Sequence, residues 1–131
     1  MCILLTAVLI FFFAGFDSNV KNAVTRDVSS QIYSEADINS AIKTIKREFA
    51  FSWRGCELLE IYYAGDEMTV ECREWAERYG ADEAIVLIST FKVNRADSAA
   101  TLNEGATYDW WNWILVRSKG GKWKHVDHGF L

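Results

Sequence analysis

Four tryptophans and both histidines lie in residues 107–131, so this segment holds the side chains best able to bind a ligand or do chemistry. On a strand, successive side chains face opposite sides, so Trp110 and Trp111 point apart while Trp111 and Trp113 share a side. One set can pack against a helix, whereas the other must be covered or remain an exposed aromatic patch. Core and sheet packing is therefore the favoured interpretation of these tryptophans, and a recognition surface is the alternative. The candidate ligand-binding residues are Trp110, Trp111, Trp113, Trp123, His125 and Asp127.

The segment His125-Val126-Asp127-His128 has the residue types of a metal site. Strand alternation predicts that His125 and Asp127 share a face and that His128 points the other way. Two ligands on one face are too few for a structural zinc site, which takes four. We therefore predict neither a bound metal nor another cofactor.

Cys56 and His125 could act as a nucleophile and its base, with Asp127 orienting the imidazole. A catalytic thiol needs electropositive, partly exposed surroundings. Cys56 instead opens a predicted strand, and Cys72 lies on the buried stripe of a predicted helix. The sequence favours two inert buried thiols, with a Cys56–Cys72 disulfide as the next alternative if the domain lies outside the cytoplasm. No catalytic residue is assigned.

The elements that must position these side chains begin with an amphipathic helix over residues 34–49. Ser34 can cap it, and acidic residues near its start with basic residues near its end suit the helix dipole. Its apolar stripe has helical spacing. The stripe consists of Ile38, Ala41, Ile42, Ile45 and Phe49.

The rest of the chain predicts a strand, a shorter helix and three further strands. These are a strand within 55–66, a helix within 68–80, and strands within 82–93, 108–117 and 123–130. A glycine-rich turn at 118–122 joins the last two strands. The predicted fold is α+β in the order α-β-α-β-β-β, with the N-terminal helix packed on a curled antiparallel sheet.

Residues 2–16 form an apolar run without a charge. The run is shorter than the roughly twenty residues of a bilayer span and is typical of a signal-peptide core, although no Lys or Arg precedes it. It is predicted to be an uncleaved membrane anchor, or part of a signal sequence that starts upstream; a buried core helix is the alternative. The predicted organisation is a signal or anchor segment (1–16), a polar linker (17–33) and an α+β domain (34–131). The domain is then membrane-anchored or secreted, outside the cytoplasm.

A net charge of −4 and an isoelectric point near 5.2 oppose a nucleic-acid partner, because such a partner requires a basic surface.

Several segments together resemble a group of small secreted domains of Gram-positive bacteria, commonly tethered as lipoproteins and related to the cystatin-like and NTF2-like α+β folds. These segments are "YSEADINSAIKTIKREF", "GCELLEIYY", "WAERYGADEAIVLISTFKV" and "WILVRSKGGKWKHVDHGF". The resemblance covers about residues 33–131 and implies the fold. It supplies no activity and no functional residues, and this chain lacks the lipobox of a lipoprotein.

The leading functional hypothesis is a non-enzymatic extracytoplasmic module that binds a peptide, glycan or small ligand through its curled sheet. The alternative is a small hydrolase that uses the sheet concavity with His125 and Asp127. A third hypothesis is an interaction module that dimerises sheet to sheet.

Overall fold

A computed structural model describes residues 19–95 and 102–131. The helices are α1 (Glu35–Ser52), α2 (Asp66–Glu71) and α3 (Glu74–Arg78), and the strands are β1 (Cys56–Tyr63), β2 (Glu83–Val93), β3 (Thr107–Arg117) and β4 (Lys124–Gly129). The strands form one open four-stranded sheet in the order β1-β2-β3-β4. Every neighbouring pair of strands is antiparallel, which confirms the predicted α+β class and antiparallel sheet.

Helix α1 forms where the capping and stripe signals predicted it. The hydroxyl of Ser34 accepts a hydrogen bond from the amide of Asp37 at 3.1 Å. The predicted stripe faces the sheet, with Ala41, Ile45 and Phe49 fully buried. They contact strand residues that include Leu58, Ile61, Ile85, Leu87, Phe91, Trp113 and Leu115. Burial of this apolar surface on one face of the sheet is the main stabilising contribution to the fold.

The second predicted helix is two short helices, so the observed order is α-β-α-α-β-β-β. The chain tightens at the break, where the amide of Arg73 donates to Val70 and the amide of Trp75 donates to Cys72, both three residues back. Met68, Cys72 and Trp75 still form one apolar face, although the helix breaks between them. That face packs on Val86 and Ile114, on the side of the sheet opposite α1.

Bulges interrupt three strands, β1 after Leu58 and also β3 and β4, and the last two change which side chains share a face. The first of these two lies in β3. Ser89 of β2 pairs with Trp111 and Phe91 of β2 pairs with Tyr108, so the single residue between the β2 partners lies opposite two residues of β3. Trp110 occupies the extra position with a φ of 61°, a conformation that usually requires glycine. Tyr108 and Trp111 therefore face the same side.

A second bulge lies in β4. Ile114 pairs with Asp127 and Leu115 with His125, so Val126 is the extra residue. The predicted arrangement of His125 beside Asp127 is consequently wrong. His125 and His128 share the α1 side of the sheet, and Asp127 pairs with a residue of the other side.

Residues 19–33, which the sequence predicted as a polar linker, contact the domain along their length. Val24 forms a parallel bridge with Glu60 at the edge of β1. The carboxylate of Asp66 accepts hydrogen bonds from the Ser30 hydroxyl at 2.6 Å and the Gln31 amide at 2.7 Å. These bonds lower the pKa of Asp66 and attach this segment to the start of α2. Residues 2–16 lie outside the described part of the chain.

Cys56 and Cys72 are both buried, as predicted for inert thiols. Cys56 belongs to the core on the α1 side of the sheet, whereas Cys72 belongs to the cluster on the opposite side. The sheet separates the two sulfurs, so the disulfide considered from the sequence is not formed. Within residues 19–95 and 102–131, none of the helices has the length and apolarity needed to cross a bilayer.

Candidate functional site

An aromatic cluster occupies the α1 side of the sheet, beyond the end of the helix. We define it as Trp53, Phe91, Tyr108, Trp111, Trp113, His125 and His128. Trp53 is central, with ring centroids 5.2 Å from those of both Trp113 and His128. Such distances and the mainly edge-to-face angles are those of attractive aromatic pairs.

Local structure explains how the cluster assembles. Trp53 follows Phe49 by four residues, and their rings stack at 5.7 Å as α1 ends. The β3 bulge adds Tyr108 to the side that already holds Trp111 and Trp113. The β4 bulge brings in His128, whose ring lies 5.9 Å from that of Trp111.

Trp113 and Trp111 differ in their surroundings. Trp113 is fully buried, and its indole N–H donates to the Ser89 hydroxyl at 2.7 Å. Trp111 is half-buried, and its indole N–H has no hydrogen-bond partner among the described residues. A buried donor without an acceptor costs about 1–3 kcal/mol. This nitrogen has almost no accessible surface, so a ligand on the exposed side of the cluster contacts the ring rather than the N–H.

A line of hydrogen-bonded groups runs through the cluster from α1 to β4. The Nδ1 of His125 lies 2.6 Å from the Glu48 carboxylate. The Nε2 of His125 lies 3.1 Å from the Asp127 carbonyl oxygen and 3.2 Å from the Nδ1 of His128. The only group of Asp127 in this line is its backbone carbonyl, and Glu48 occupies the position that the alternative hydrolase hypothesis gave to Asp127.

This line can hold its protons in two arrangements. Nδ1–H of His125 donates to Glu48 in both. If His125 Nε2 also carries a proton, it donates to the Asp127 carbonyl and towards His128. If His125 Nε2 is unprotonated, it accepts from the Nδ1–H of His128. The two arrangements differ by movement of one proton, which is the chemistry of an acid–base relay.

The pKa of His128 is lowered, first by burial of its ring and then by the neighbouring His125; Asp127 and Glu48 oppose the shift. As pH falls through about 6.5, unfolded chains bind a proton at this position before folded ones do. We therefore expect stability to decrease as pH falls from neutral through about 6, and to decrease less in a His128→Gln variant, which cannot titrate there. Chemical denaturation of both proteins across this range measures the difference. Equal pH dependence in the two proteins would contradict the lowered pKa.

No group of three or more potential metal ligands occurs in residues 19–95 and 102–131.

The structure brings together three of the six predicted ligand-binding residues, Trp111, Trp113 and His125. Trp110 is separate, with an exposed ring that is not part of the cluster. Trp123 is buried near the start of α1, where its N–H donates to the Asp37 carbonyl at 3.1 Å. The carboxylate of Asp127 likewise lies outside the hydrogen-bonded line.

Sequence reasoning missed five members of the site: Glu48, Trp53, Phe91, Tyr108 and His128. The spacing of Phe49 and Trp53 is a readable signal that both face the sheet, and the same helical register places Glu48 beside that face. Tyr108 and His128 join the cluster only because of the bulges in β3 and β4. Neither bulge could be predicted from a glycine, because the extra residues are Trp110 and Val126.

A groove of about 600 Å³ lies elsewhere, between residues 25–30 and the first turns of α1. Its floor includes Tyr33, Ile38 and Ile42. It contains none of the predicted ligand-binding residues. At the aromatic cluster, Tyr108 and Trp111 are half-buried and His128 is exposed, so part of the cluster faces solvent.

No protein-family model, curated protein or solved structure matches this chain. The resemblance to small secreted domains of Gram-positive bacteria remains a prediction.

Proposed function

We propose that this chain is a non-enzymatic binding module whose ligand contacts the exposed side of the aromatic cluster. In this proposal the domain is cystatin-like or NTF2-like and lies outside the cytoplasm, where residues 2–16 anchor it to a membrane or direct its secretion. The sheet carries the ligand surface, and α1 provides the core that makes the sheet rigid.

The observation that carries this proposal is the state of Trp111. Its ring is half-buried between Tyr108 and His128. The exposed part of the rings favours a ligand with a flat apolar side. No cationic side chain belongs to the cluster as defined, which disfavours an anionic ligand. A saccharide ring has these properties, so a glycan is the ligand class we propose.

Titration with a neutral oligosaccharide, such as chitopentaose or cellopentaose, should shift the indole N–H resonance of Trp111 in a nitrogen-15 correlation spectrum. A Trp111→Phe variant keeps a ring but presents a smaller one. We expect it to bind the same oligosaccharide roughly 2- to 12-fold more weakly, because about 0.5–1.5 kcal/mol of ring contact is lost.

Trp75→Phe is the matched control, because Trp75 lies on the opposite side of the sheet and packs against Val126. It should leave the affinity unchanged. If Trp75→Phe weakens binding as much as Trp111→Phe, or if only resonances outside the cluster respond, the ligand surface is not here.

A second candidate function rests on the line from Glu48 through His125 to His128. A carboxylate that orients an imidazole, followed by a second, more exposed imidazole, is an arrangement that hydrolases use for proton transfer. This supports the enzyme alternative, with Glu48 in place of Asp127. Hydrolysis of p-nitrophenyl acetate by the intact chain, above the rate of a His128→Gln variant, would favour the enzyme over the binding module.

A further inference from the structure

One end of the domain carries a concentration of exposed apolar side chains. The end of α1, the start of β3 and the end of β4 meet there, because the strands are antiparallel. Four large side chains at this end are about two-thirds exposed: Phe51 at 66%, Trp110 at 67%, Phe130 at 63% and Leu131 at 63%. We define these four residues as the apolar rim. The exposed side of the aromatic cluster adjoins it, with Phe130 5.1 Å from Trp111.

Folding stability does not explain Trp110. Its φ of 61° strains a residue with a side chain, by roughly 1–2 kcal/mol, and two-thirds of its surface faces water. Glycine or asparagine would adopt the same backbone conformation with less strain. A large indole held outward at a strained position is better explained by contact with a partner.

The described chain enters the domain at this same end. The side-chain amide of Asn19 donates to the carbonyls of Phe49, Trp53 and Cys56 at 3.3, 3.1 and 3.2 Å. The backbone carbonyl of Asn19 accepts a hydrogen bond from the backbone amide of Leu58 at 2.9 Å. Asn19 is therefore held between the end of α1 and the start of β1.

The apolar run of residues 2–16 ends three positions before Asn19 in the sequence. Three residue steps span at most roughly 11 Å. If residues 2–16 enter a bilayer, the membrane surface must lie close to the end of the domain that carries the apolar rim.

We propose that the apolar rim rests in the headgroup region of a lipid bilayer, beside the point where residues 2–16 enter it. Trp and other apolar side chains partition favourably to this region, where a ring contacts acyl chains while its polar edge stays hydrated. The short connection gives the rim a high effective concentration at the surface, so a weak intrinsic affinity is sufficient.

The charged residues next to the rim are of both signs, with Arg54, Lys92 and Asp109 nearby in the sequence or on neighbouring strands. The contact is therefore apolar, and neutral phosphatidylcholine is a sufficient lipid. This inference goes beyond ligand binding at the aromatic cluster. It concerns a different set of residues, and it rests on the membrane anchoring by residues 2–16 that is part of the proposed function.

The test places the full chain in phosphatidylcholine vesicles whose acyl chains are brominated near the headgroup. Bromine quenches tryptophan fluorescence only at short range. We expect quenching relative to vesicles without bromine, and we expect Trp110→Phe to lose most of it. Phenylalanine keeps the rim apolar, so this variant removes the reporter and leaves the docking.

Trp75→Phe is the control, since Trp75 packs against Ala84 and Val116, towards the other end of the sheet. It should retain the quenching of the unmodified chain. Quenching that is equal in the Trp110→Phe and unmodified chains, or absent from both, would overturn the proposal. Absence is also the result expected if residues 2–16 or a protein partner cover the rim instead of lipid.

Discussion

Replacing Trp113 with alanine is expected to lower the free energy of unfolding by about 3–5 kcal/mol, the usual cost of truncating a buried tryptophan. Trp113 has no exposed surface, and it contacts Phe49 and Trp53 from α1. Its removal opens a cavity between the helix and the sheet and leaves the Ser89 hydroxyl without its donor. Urea denaturation followed by circular dichroism at neutral pH measures the change.

Trp110→Gly is the matched control for this prediction, because it removes an indole from the same strand. Loss of partial packing and relief of the positive φ oppose each other, so the free energy of unfolding should change by less than about 1 kcal/mol. If the two substitutions cost the same, Trp113 is not the centre of the core. If Trp110→Gly is the more costly, the exposed indole stabilises the fold and its assignment to a membrane contact loses support.

Replacing Arg117 with leucine is expected to cost about 2–3 kcal/mol, because it leaves two carboxylates without their shared cation. Arg117 bonds Asp37 at 3.0 Å and Glu83 at 2.6 Å, and its guanidinium lies 4.1 Å from the centre of the Trp123 ring. The arginine side chain is 9% exposed, but the acids are 35% and 27% exposed. Water therefore screens part of the repulsion between the Asp37 and Glu83 carboxylates. The stability lost on replacing Arg117 falls below the 3–5 kcal/mol lost when a fully buried ion pair is broken.

A second substitution separates lost charge pairing from lost packing. Asp37→Asn in the Arg117→Leu background should recover part of the stability, whereas in the unmodified protein Asp37→Asn should be destabilising. Hydrogen bonds from Arg117 and Ser34 lower the pKa of Asp37. This contribution to stability is present above the ordinary aspartate pKa of about 4 and is lost as pH falls through the lowered pKa. Arg117→Leu should flatten that acid dependence. If Arg117→Leu loses stability at low pH as steeply as the unmodified protein does, Arg117 acts through packing alone.

Arg117 connects three elements of the fold: the end of β3, the start of α1 and the start of β2. Arg117 closes β3, Asp37 lies in the first turn of α1 and Glu83 opens β2. Tyr33 and Trp123 complete this region, and burial raises the pKa of Tyr33 to about 12 while its hydroxyl donates to the Ala84 carbonyl. Trp123, predicted as a candidate ligand-binding residue, contributes here to the attachment of α1. The aromatic cluster is near the other end of the helix.

Much of the fold could be predicted from the sequence because its signals are local. Ser34 and the apolar stripe from Ile38 to Phe49 specify α1 within a single segment. The apolar run that begins at Ala84 specifies a strand buried on both faces, and this strand is indeed central in the sheet. The break after Glu71 was harder to predict, since the apolar spacing of Met68, Cys72 and Trp75 continues across it.

The candidate site was only partly predictable. Trp111 and Trp113 share a face under simple alternation, and they share it in the structure. Tyr108 and His128 do not obey that alternation, since each lies beyond an extra residue. A one-residue bulge moves every later side chain to the other face, and the positions that bulge, Trp110 and Val126, lack the glycine that would announce it.

The sequence by itself therefore determined the helix, the strands and their antiparallel order, because caps and apolar periods act over a few residues. Tertiary structure alone decided which side chains meet. Glu48 and His125 are 77 positions apart, and Asp37 and Arg117 are 80 positions apart. Contacts of this kind depend on strand register and on the packing of α1, which arise when the whole chain buries its apolar faces together.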